Sequence, residues 1–302
     1  MILIVILLLL LIPLIYIAKQ CLNRVILPQR CDKESLREEE IRDGFQAAID
    51  AYENIWQRQP FELDCRGTLI RGEIIRNPDA KENRVAIICH GHTVNRYTDL
   101  KYGDIFYRAG YHLVIYDERH FGESEGAIST LGQEEAKDLA EIIAYVKQQF
   151  GDCFIALHGE SMGAATTLLV LQYVKPDLIV ADCPFADSER LFTEWIRQNM
   201  AIPPILVIPI LEVIAFLFYG YHIRKTSPIR IMQNCEVPIC FMHGDSDQLI
   251  DCDHSRQLFK ACGNPRSELH LFPGAAHARS IDSDPQAYER ILLDFLRNNQ
   301  AL

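Results

Sequence analysis

The run Cys153-Phe154-Ile155-Ala156-Leu157-His158-Gly159-Glu160-Ser161-Met162-Gly163-Ala164-Ala165-Thr166-Thr167-Leu168-Leu169 decides how this chain folds. It opens as an apolar strand, closes with a helical pattern, and carries G-x-S-x-G between the two. Small residues on both sides of Ser161 let the backbone turn sharply and lift the hydroxyl clear of the sheet. The same turn aims the first amide N–H groups of the helix at whatever the serine meets, where they stabilise negative charge. A lone G-x-S-x-G also arises by chance around turn serines. The strand before it and the helix after it select the nucleophile reading here.

A serine hydroxyl is a poor nucleophile until a neutral imidazole takes its proton and a carboxylate fixes the ring's tautomer and orientation. Both groups follow downstream, acid first. Val237-Pro238-Ile239-Cys240-Phe241-Met242 reads as a buried strand running into His243-Gly244-Asp245-Ser246-Asp247-Gln248-Leu249-Ile250. Glu268-Leu269-His270-Leu271-Phe272 alternates like a strand and leads into Pro273-Gly274-Ala275-Ala276-His277. Asp247 and His277 thus follow strand C-terminal ends, the edge where open α/β sheets hold ligands.

With these residues in place the chain resembles an α/β-hydrolase over residues 60 to 300. His90-Gly91-His92, after the strand Val85-Ala86-Ile87-Ile88-Cys89, resembles the family's H-G-x oxyanion turn. Asp117-Glu118-Arg119-His120-Phe121-Gly122-Glu123-Ser124 resembles its D-x-R-x-x-G-x-S loop, with His120 where glycine is common, and Thr226-Ser227-Pro228-Ile229 resembles the return from cap to core. Within the superfamily the chain is similar to bacterial hydrolases related to serine aminopeptidases, acylglycerol lipases and feruloyl-type esterases. The resemblance implies a mostly parallel twisted sheet with helices on both faces and a helical cap insertion. It also implies an oxyanion hole from the backbone N–H groups of His92 and Met162. The family's H-G-x-x-D spacing favours Asp247 over its neighbour Asp245 as the acid.

The expected activity is hydrolysis of a small-molecule ester or lipid-like substrate through Ser161, His277 and Asp247 and an acyl-enzyme. Cleavage of small peptides is the alternative, and a non-catalytic membrane-anchored binding protein is a second. No cofactor is expected. Cys235, Cys240, Cys252 and Cys262 have no histidines at zinc-site spacing, so no metal is expected either. Cys89, Cys153, Cys183 and Cys240 fall in or beside strands, where free cysteine behaves as a small hydrophobe. A chain of 302 residues, 49% of them hydrophobic, can bury one large core. A net charge of −11 with no basic stripe excludes a nucleic-acid partner.

Ile2 to Ala18 is a charge-free run of 17 residues broken only by Pro13. As a helix it would span roughly 25 Å against a hydrocarbon core of ~30 Å. Nothing basic precedes it and no small-residue cleavage site follows, so it reads as an uncleaved transmembrane anchor in the lipid bilayer. Lys19, Arg24, Arg30, Lys33 and Arg37 all lie on its C-terminal side, which places the catalytic domain in the cytoplasm of a single-pass cell-membrane protein. On this reading the catalytic residues owe nothing to the anchor, and a chain beginning near Asp32 is expected to keep activity on short esters.

The expected organisation is an anchor at 1–18, a connector and helix at 19–59, core at 60–183, a helical cap at 184–228 and core again at 229–302. A capping box, Ser35-Leu36-Arg37-Glu38, starts a helix expected to run to about Gln57. Phe61–Cys65 and Thr68–Ile75 read as antiparallel strands, and Tyr97–Arg108 and Gln133–Gln149 as helices. In the cap, Leu191, Phe192, Trp195, Ile196 and Met200 form one apolar face. Pro203, Pro204 and Pro209 punctuate Ile202–Phe218, whose one charge is Glu212. This segment reads as helices closing an apolar pocket, or as a surface dipping into the membrane, or as a second span. Phe192, Trp195, Ile205, Leu206, Ile214 and Phe218 are the candidate pocket residues. His158, His243 and His270 read as satisfied core or turn histidines, and Asp117 and Arg119 as loop braces.

Overall fold

Runs such as Val85-Ala86-Ile87-Ile88-Cys89 are buried throughout, the signature of parallel strands covered on both faces. In the computed structural model, which describes residues 2–80, 83–233 and 235–302 and side chains from residue 12 onward, these runs assemble one sheet of 8 strands. They are β1 (Gln57–Cys65), β2 (Thr68–Arg76), β3 (Arg84–Cys89), β4 (His112–Tyr116), β5 (Phe154–Glu160), β6 (Leu178–Asp182), β7 (Ile239–Gly244) and β8 (Glu268–Phe272), in the order β1-β2-β4-β3-β5-β6-β7-β8. β1 and β2 pair antiparallel, β2 joins β4 antiparallel, and all later neighbours are parallel.

Helices α2 (Lys33–Arg42), α3 (Gln46–Asn54), α4 (Leu100–Arg108), α10 (Ser280–Ser283) and α11 (Pro285–Asn298) cover one face, around Tyr52, Phe106, Tyr288 and Phe295. Helices α5 (Glu135–Phe150), α6 (Met162–Leu169) and α9 (Asp253–Cys262) cover the other, around Ile142, Leu168, Phe241 and Leu258. The long helix expected from Ser35 to Gln57 is two helices. Gly44 takes φ +98°, which ends α2, and the Phe45 amide bonds back to the Glu40 carbonyl. The helix expected from Tyr97 begins at Leu100, because the Thr98 and Asp99 amides bond Asn95 and Arg96 in tight turns.

Between β6 and β7 the chain leaves the sheet to form α7 (Ser188–Asn199) and α8 (Pro204–Tyr219). Pro204 opens α8, where its missing N–H costs nothing, and Gly220 closes it in the left-handed conformation. Against α8 packs α1 (Ile2–Ile26), which continues eight residues beyond the anchor boundary expected at residue 18. Ala18, Leu22 and Ile26 recur at helical spacing and are fully buried in a third apolar cluster with Phe185, Ile196, Leu211 and Ile214. The inner part of α1 is therefore a piece of the folded domain. Among the described residues no single helix is long and apolar enough to cross a membrane. The side chains of residues 2–11, where most of the anchor expectation falls, lie outside the described residues.

Candidate active site

β5 delivers Ser161 to the C-terminal edge of the sheet. Ser161 takes φ +55° and ψ −111°, a conformation rare outside glycine, and its amide donates to the Asp182 carbonyl at 2.8 Å. The glycines around it answer to close approach. A Cβ on Gly159 would stand 2.4 Å from the Gly163 carbonyl carbon, and one on Gly163 would stand 2.0 Å from the Cys89 carbonyl oxygen. This crossing of β5, α6 and the end of β3 leaves no room for a side chain.

Ser161 Oγ lies 2.8 Å from His277 Nε2, and His277 Nδ1 lies 2.6 Å from Asp247 Oδ2. The tautomer this implies has Nδ1–H donating to the carboxylate and Nε2 open to the serine proton. The other carboxylate oxygen of Asp247 accepts from the Leu249 and Ile250 amides, each at 2.8 Å. Burial opposes a charge on Asp247, yet hydrogen bonds from His243 and His277 hold its carboxyl well below the usual carboxylate range. Asp245 is directed elsewhere, accepting from the Gly274 amide at 2.7 Å in an exposed turn.

Sequence reasoning read His243 as a satisfied core residue, but it touches this chain of groups. Its Nε2 lies 3.2 Å from Asp247 Oδ2 and 2.8 Å from the Ile250 carbonyl, and its Nδ1 lies 2.6 Å from Ser255 Oγ. Cys183, fully buried at φ +45°, brings its sulfur into a group with the Asp247 carboxylate and the His277 ring whose ligand atoms all lie within 4.8 Å of one another. Cys183 carries no motif that a linear reading could use, whereas His243 opens the H-G-x-x-D run, and only the fold brings its ring to the Asp247 carboxylate.

On the other side of Ser161 lies the turn Gly91-His92. A Cβ on Gly91 would meet Glu160 Oε1 at 3.0 Å and Ser161 Cβ at 3.7 Å, so the turn rests against the serine. Met162 is the first residue of α6, and the first-turn amides of a helix lack intrahelical acceptors. The turn is braced from below and above. The Glu118 amide donates to His90 Nε2 at 2.8 Å, while the His92 ring bonds the Val25 carbonyl at 2.7 Å. Residues after Val25 continue the brace: the Ser129 amide bonds the Ile26 carbonyl at 2.9 Å, and the His120 ring reaches the Pro28 carbonyl at 3.3 Å. Asp117 accepts from the Arg96 and Glu123 amides and pairs with the Arg96 guanidinium at 2.6 Å, and Arg119 clamps Asp138.

Two cavities meet at Ser161 and His92. One, of about 170 Å³, is lined by Val25, Leu131, Met162, Phe185, Leu191, Phe192, Trp195, Leu249 and Ile250, with Arg24 at its edge. The other, of about 180 Å³, is lined by Glu39, Glu40, Thr98, Lys101, Glu160, His277 and Arg279. Of the expected pocket residues, Phe192 and Trp195 line the first cavity. Ile205, Leu206 and Phe218 do not: they lie on the outer face of α8 with exposures of 79%, 54% and 63%. Ile214 is buried in the α1–α8 contact instead. The apolar run of α8 is apolar on every side, so sequence periodicity could not say which face turns inward. Arg24 and Val25 had no signal as site residues, since they look like the tail of an anchor.

The fold and this serine-centred edge define an α/β-hydrolase, and the chain belongs to that superfamily. Residues 80–216 match the family model described as serine aminopeptidase, S33, and residues 212–294 match the dienelactone hydrolase family. The chain is 32% identical over 216 residues to the uncharacterized protein YqkD of Bacillus subtilis, covering 70% of each chain. It is 24% identical over 247 residues to the lysophosphatidylserine lipase ABHD12 of Mus musculus, covering 73% of this chain and 58% of that protein's length. Among solved structures it is similar to the esterase Pf2001 of Pyrococcus furiosus, with a TM-score of 0.68, 22% identity, and coverage of 82% of this chain and 93% of the other.

Proposed function

We propose that the protein hydrolyses carboxylic esters with Ser161 as nucleophile. The observation that carries the reading is the continuous hydrogen-bonded line from Ser161 Oγ through His277 to Asp247, opening on an apolar cavity. Ser161 Oγ attacks the ester carbonyl carbon while His277 Nε2 takes its proton. Asp247 holds the ring's tautomer and stabilises the imidazolium that forms. The tetrahedral oxyanion is held by the backbone N–H groups of His92 and Met162. Collapse breaks the ester C–O bond, His277 returns the proton to the departing alkoxide, and the acyl group stays on Ser161. Water activated by His277 then attacks the acyl-enzyme by the same steps and releases the acid. A related esterase fold and a relative named as a lipase support ester chemistry. The serine aminopeptidase family model supports a second reading, amide cleavage by the same residues.

We also propose that residues 184–228 act as a cap over the apolar cavity, and that its outer face, with α1, seats the protein on a lipid bilayer. Ile12 and Tyr16 of α1 and Ile205, Leu217 and Phe218 of α8 are large, exposed apolar side chains on two packed helices. Lys19 lies 4.9 Å from the Phe218 ring, at the polar end of such a face. A related yeast protein, 27% identical over 199 residues, is named as a membrane protein. Lys19, Arg24, Arg30, Lys33 and Arg37 beside this face would favour the anionic surface of a cytoplasmic leaflet, which supports a cytoplasmic domain. The catalytic reading is tested with a fluorophosphonate probe. The protein should label, and Ser161→Ala should not. Labelling that persists in Ser161→Ala rejects the assignment.

A further inference from the structure

Cys183, Asp247 and His277 follow the ends of three different strands, β6, β7 and β8, so no spacing along the chain announces them as a group. At the sheet edge one ligand atom from each lies within 4.8 Å of the others. Thiolate, imidazole and carboxylate are the side-chain types that bind Zn²⁺, at about 2.0–2.3 Å. A tetrahedral ion at those lengths sets its ligand atoms roughly 3.4 Å apart. Asp247 Oδ2 and His277 Nδ1, now 2.6 Å apart, would open by about 0.8 Å to reach it. Cys183 is held in place: its amide donates to the Met242 carbonyl at 2.9 Å, its side chain is fully buried, and its φ is +45°. Burial and the Asp182, Glu160 and Asp247 carboxylates push its thiol well up, so without a cation the sulfur stays protonated and is no nucleophile.

Two cavities with acidic walls lead to this group. The one of about 180 Å³ beside Ser161 reaches His277, whose side chain is 20% exposed, and carries Glu39, Glu40 and Glu160 against Lys101 and Arg279. Another, of about 720 Å³, reaches Asp247 and carries Glu194, Asp251 and Asp253 against Arg190. The basic groups are already paired. Lys101 faces Glu40 at 3.2 Å, Arg279 faces Glu39 at 3.1 Å, and Arg190 faces Glu194 at 2.6 Å. Both approaches therefore favour a cation. We infer that Cys183, Asp247 and His277 form an inhibitory site for a thiophilic divalent cation, Zn²⁺ in particular. Binding releases the Cys183 thiol proton to water, and thiolate and carboxylate together balance the 2+ charge. A metal on Nε2 of His277 takes the lone pair that accepts the Ser161 proton. A metal on Nδ1 moves the ring proton to Nε2, which then has no lone pair to offer. Ester hydrolysis stops in both cases, because metal and serine compete for one imidazole. The inhibition, though not the binding, rests on the ester-hydrolase reading of Ser161.

The test titrates the full chain with Zn²⁺ against a chromogenic chelator while following p-nitrophenyl butyrate turnover. Zn²⁺ should abolish turnover and EDTA should restore it. Mg²⁺ should leave turnover unchanged, because it takes oxygen ligands and keeps its waters. Cys183→Ala, and Cys183→Ser as a variant that keeps more of the volume, should each weaken Zn²⁺ inhibition more than about tenfold against their own metal-free rates. Ser161→Ala removes turnover but no ligand, so it should bind Zn²⁺ with wild-type affinity. Adding Cys183→Ala to it should remove one thiolate's share of the ultraviolet band that Cd²⁺ gives on sulfur. Equal Zn²⁺ inhibition of the wild type and both Cys183 variants overturns the inference and leaves the catalytic reading standing. So does full turnover in excess Zn²⁺. Binding that depends on Cys183 in a protein that turns over no ester supports the metal site and overturns the catalytic reading.

Discussion

The imidazole of His92 donates through Nε2 to the backbone carbonyl of Val25 at 2.7 Å, tying the turn beside Ser161 to the end of α1. His92 is largely buried and burial lowers its ring pKa, so the neutral ring acts as a strut. A second strand of the same tether runs from the Tyr219 hydroxyl on α8 to Asn23 Oδ1 at 2.7 Å. The end of the N-terminal helix, beyond residue 18 where the anchor was expected to stop, is thus held against the turn beside Ser161.

A chain beginning at Asp32 should accordingly lose activity. Mispositioning an oxyanion donor costs up to about 10²–10³ in kcat. We expect at least tenfold lower kcat on p-nitrophenyl acetate than for a chain beginning at Leu14, which retains Asn23, Val25 and Ile26. Steady-state kinetics beside circular dichroism decides it; equal kcat in two folded proteins would falsify the tether.

Ser161→Ala, His277→Ala and Asp247→Asn should each lower ester turnover by about 10³-fold or more. The double and triple variants should be scarcely worse, because the three groups act as one unit. Additive losses would argue that they act separately.

His243→Phe should lower kcat by about tenfold with little change in KM, since it removes a support of Asp247 and touches no substrate. A readout specific to that role is acid stability. Asp247 has a depressed folded-state pKa, so its contribution is present above the unfolded value near 4 and is lost as pH falls through the folded value. Losing the His243 hydrogen bond raises the folded value, so acid unfolding of His243→Phe should begin at higher pH than in the wild type. Coincident acid unfolding curves would remove His243 from this role.

Phe192→Ala and Trp195→Ala enlarge the apolar cavity and should move the preferred acyl chain to greater length, each accommodated methylene contributing up to ~0.8 kcal/mol. Ile205→Ser with Phe218→Ser should instead leave the chain-length profile intact and reduce sedimentation with phospholipid vesicles. A changed profile in the second pair would place the outer face of α8 at the cavity after all.

Glu118 is buried with neither carboxylate oxygen bonded to a described residue, and burial, with Glu135 nearby, raises its carboxyl well above the usual range. A raised acid contributes its full stability below the unfolded pKa near 4.3 and loses it as pH rises through the folded value. Glu118→Gln should therefore raise Tm at pH 8 and change it little at pH 5. A uniform shift at both values would contradict the sign.

The sequence by itself determined the alternation of strands and helices, because apolar runs and turn residues are local signals. It determined the serine turn as well, since Gly159 and Gly163 are required by a crossing that leaves 2.4 Å and 2.0 Å for any Cβ. Ser161, Asp247 and His277 were legible through strand context and order, and the fold brings them into hydrogen-bond contact. Tertiary structure alone decided the rest. Apart from Glu212, helix α8 is apolar all round, so only its packing on α1 shows that Ile214 faces inward while Ile205 and Phe218 face out. Val25 meets His92 across 67 positions, and Glu40 meets Lys101 across 61. Contacts of that separation leave no periodicity or motif behind, because they depend on where the folded elements dock and not on which residues adjoin them in the chain.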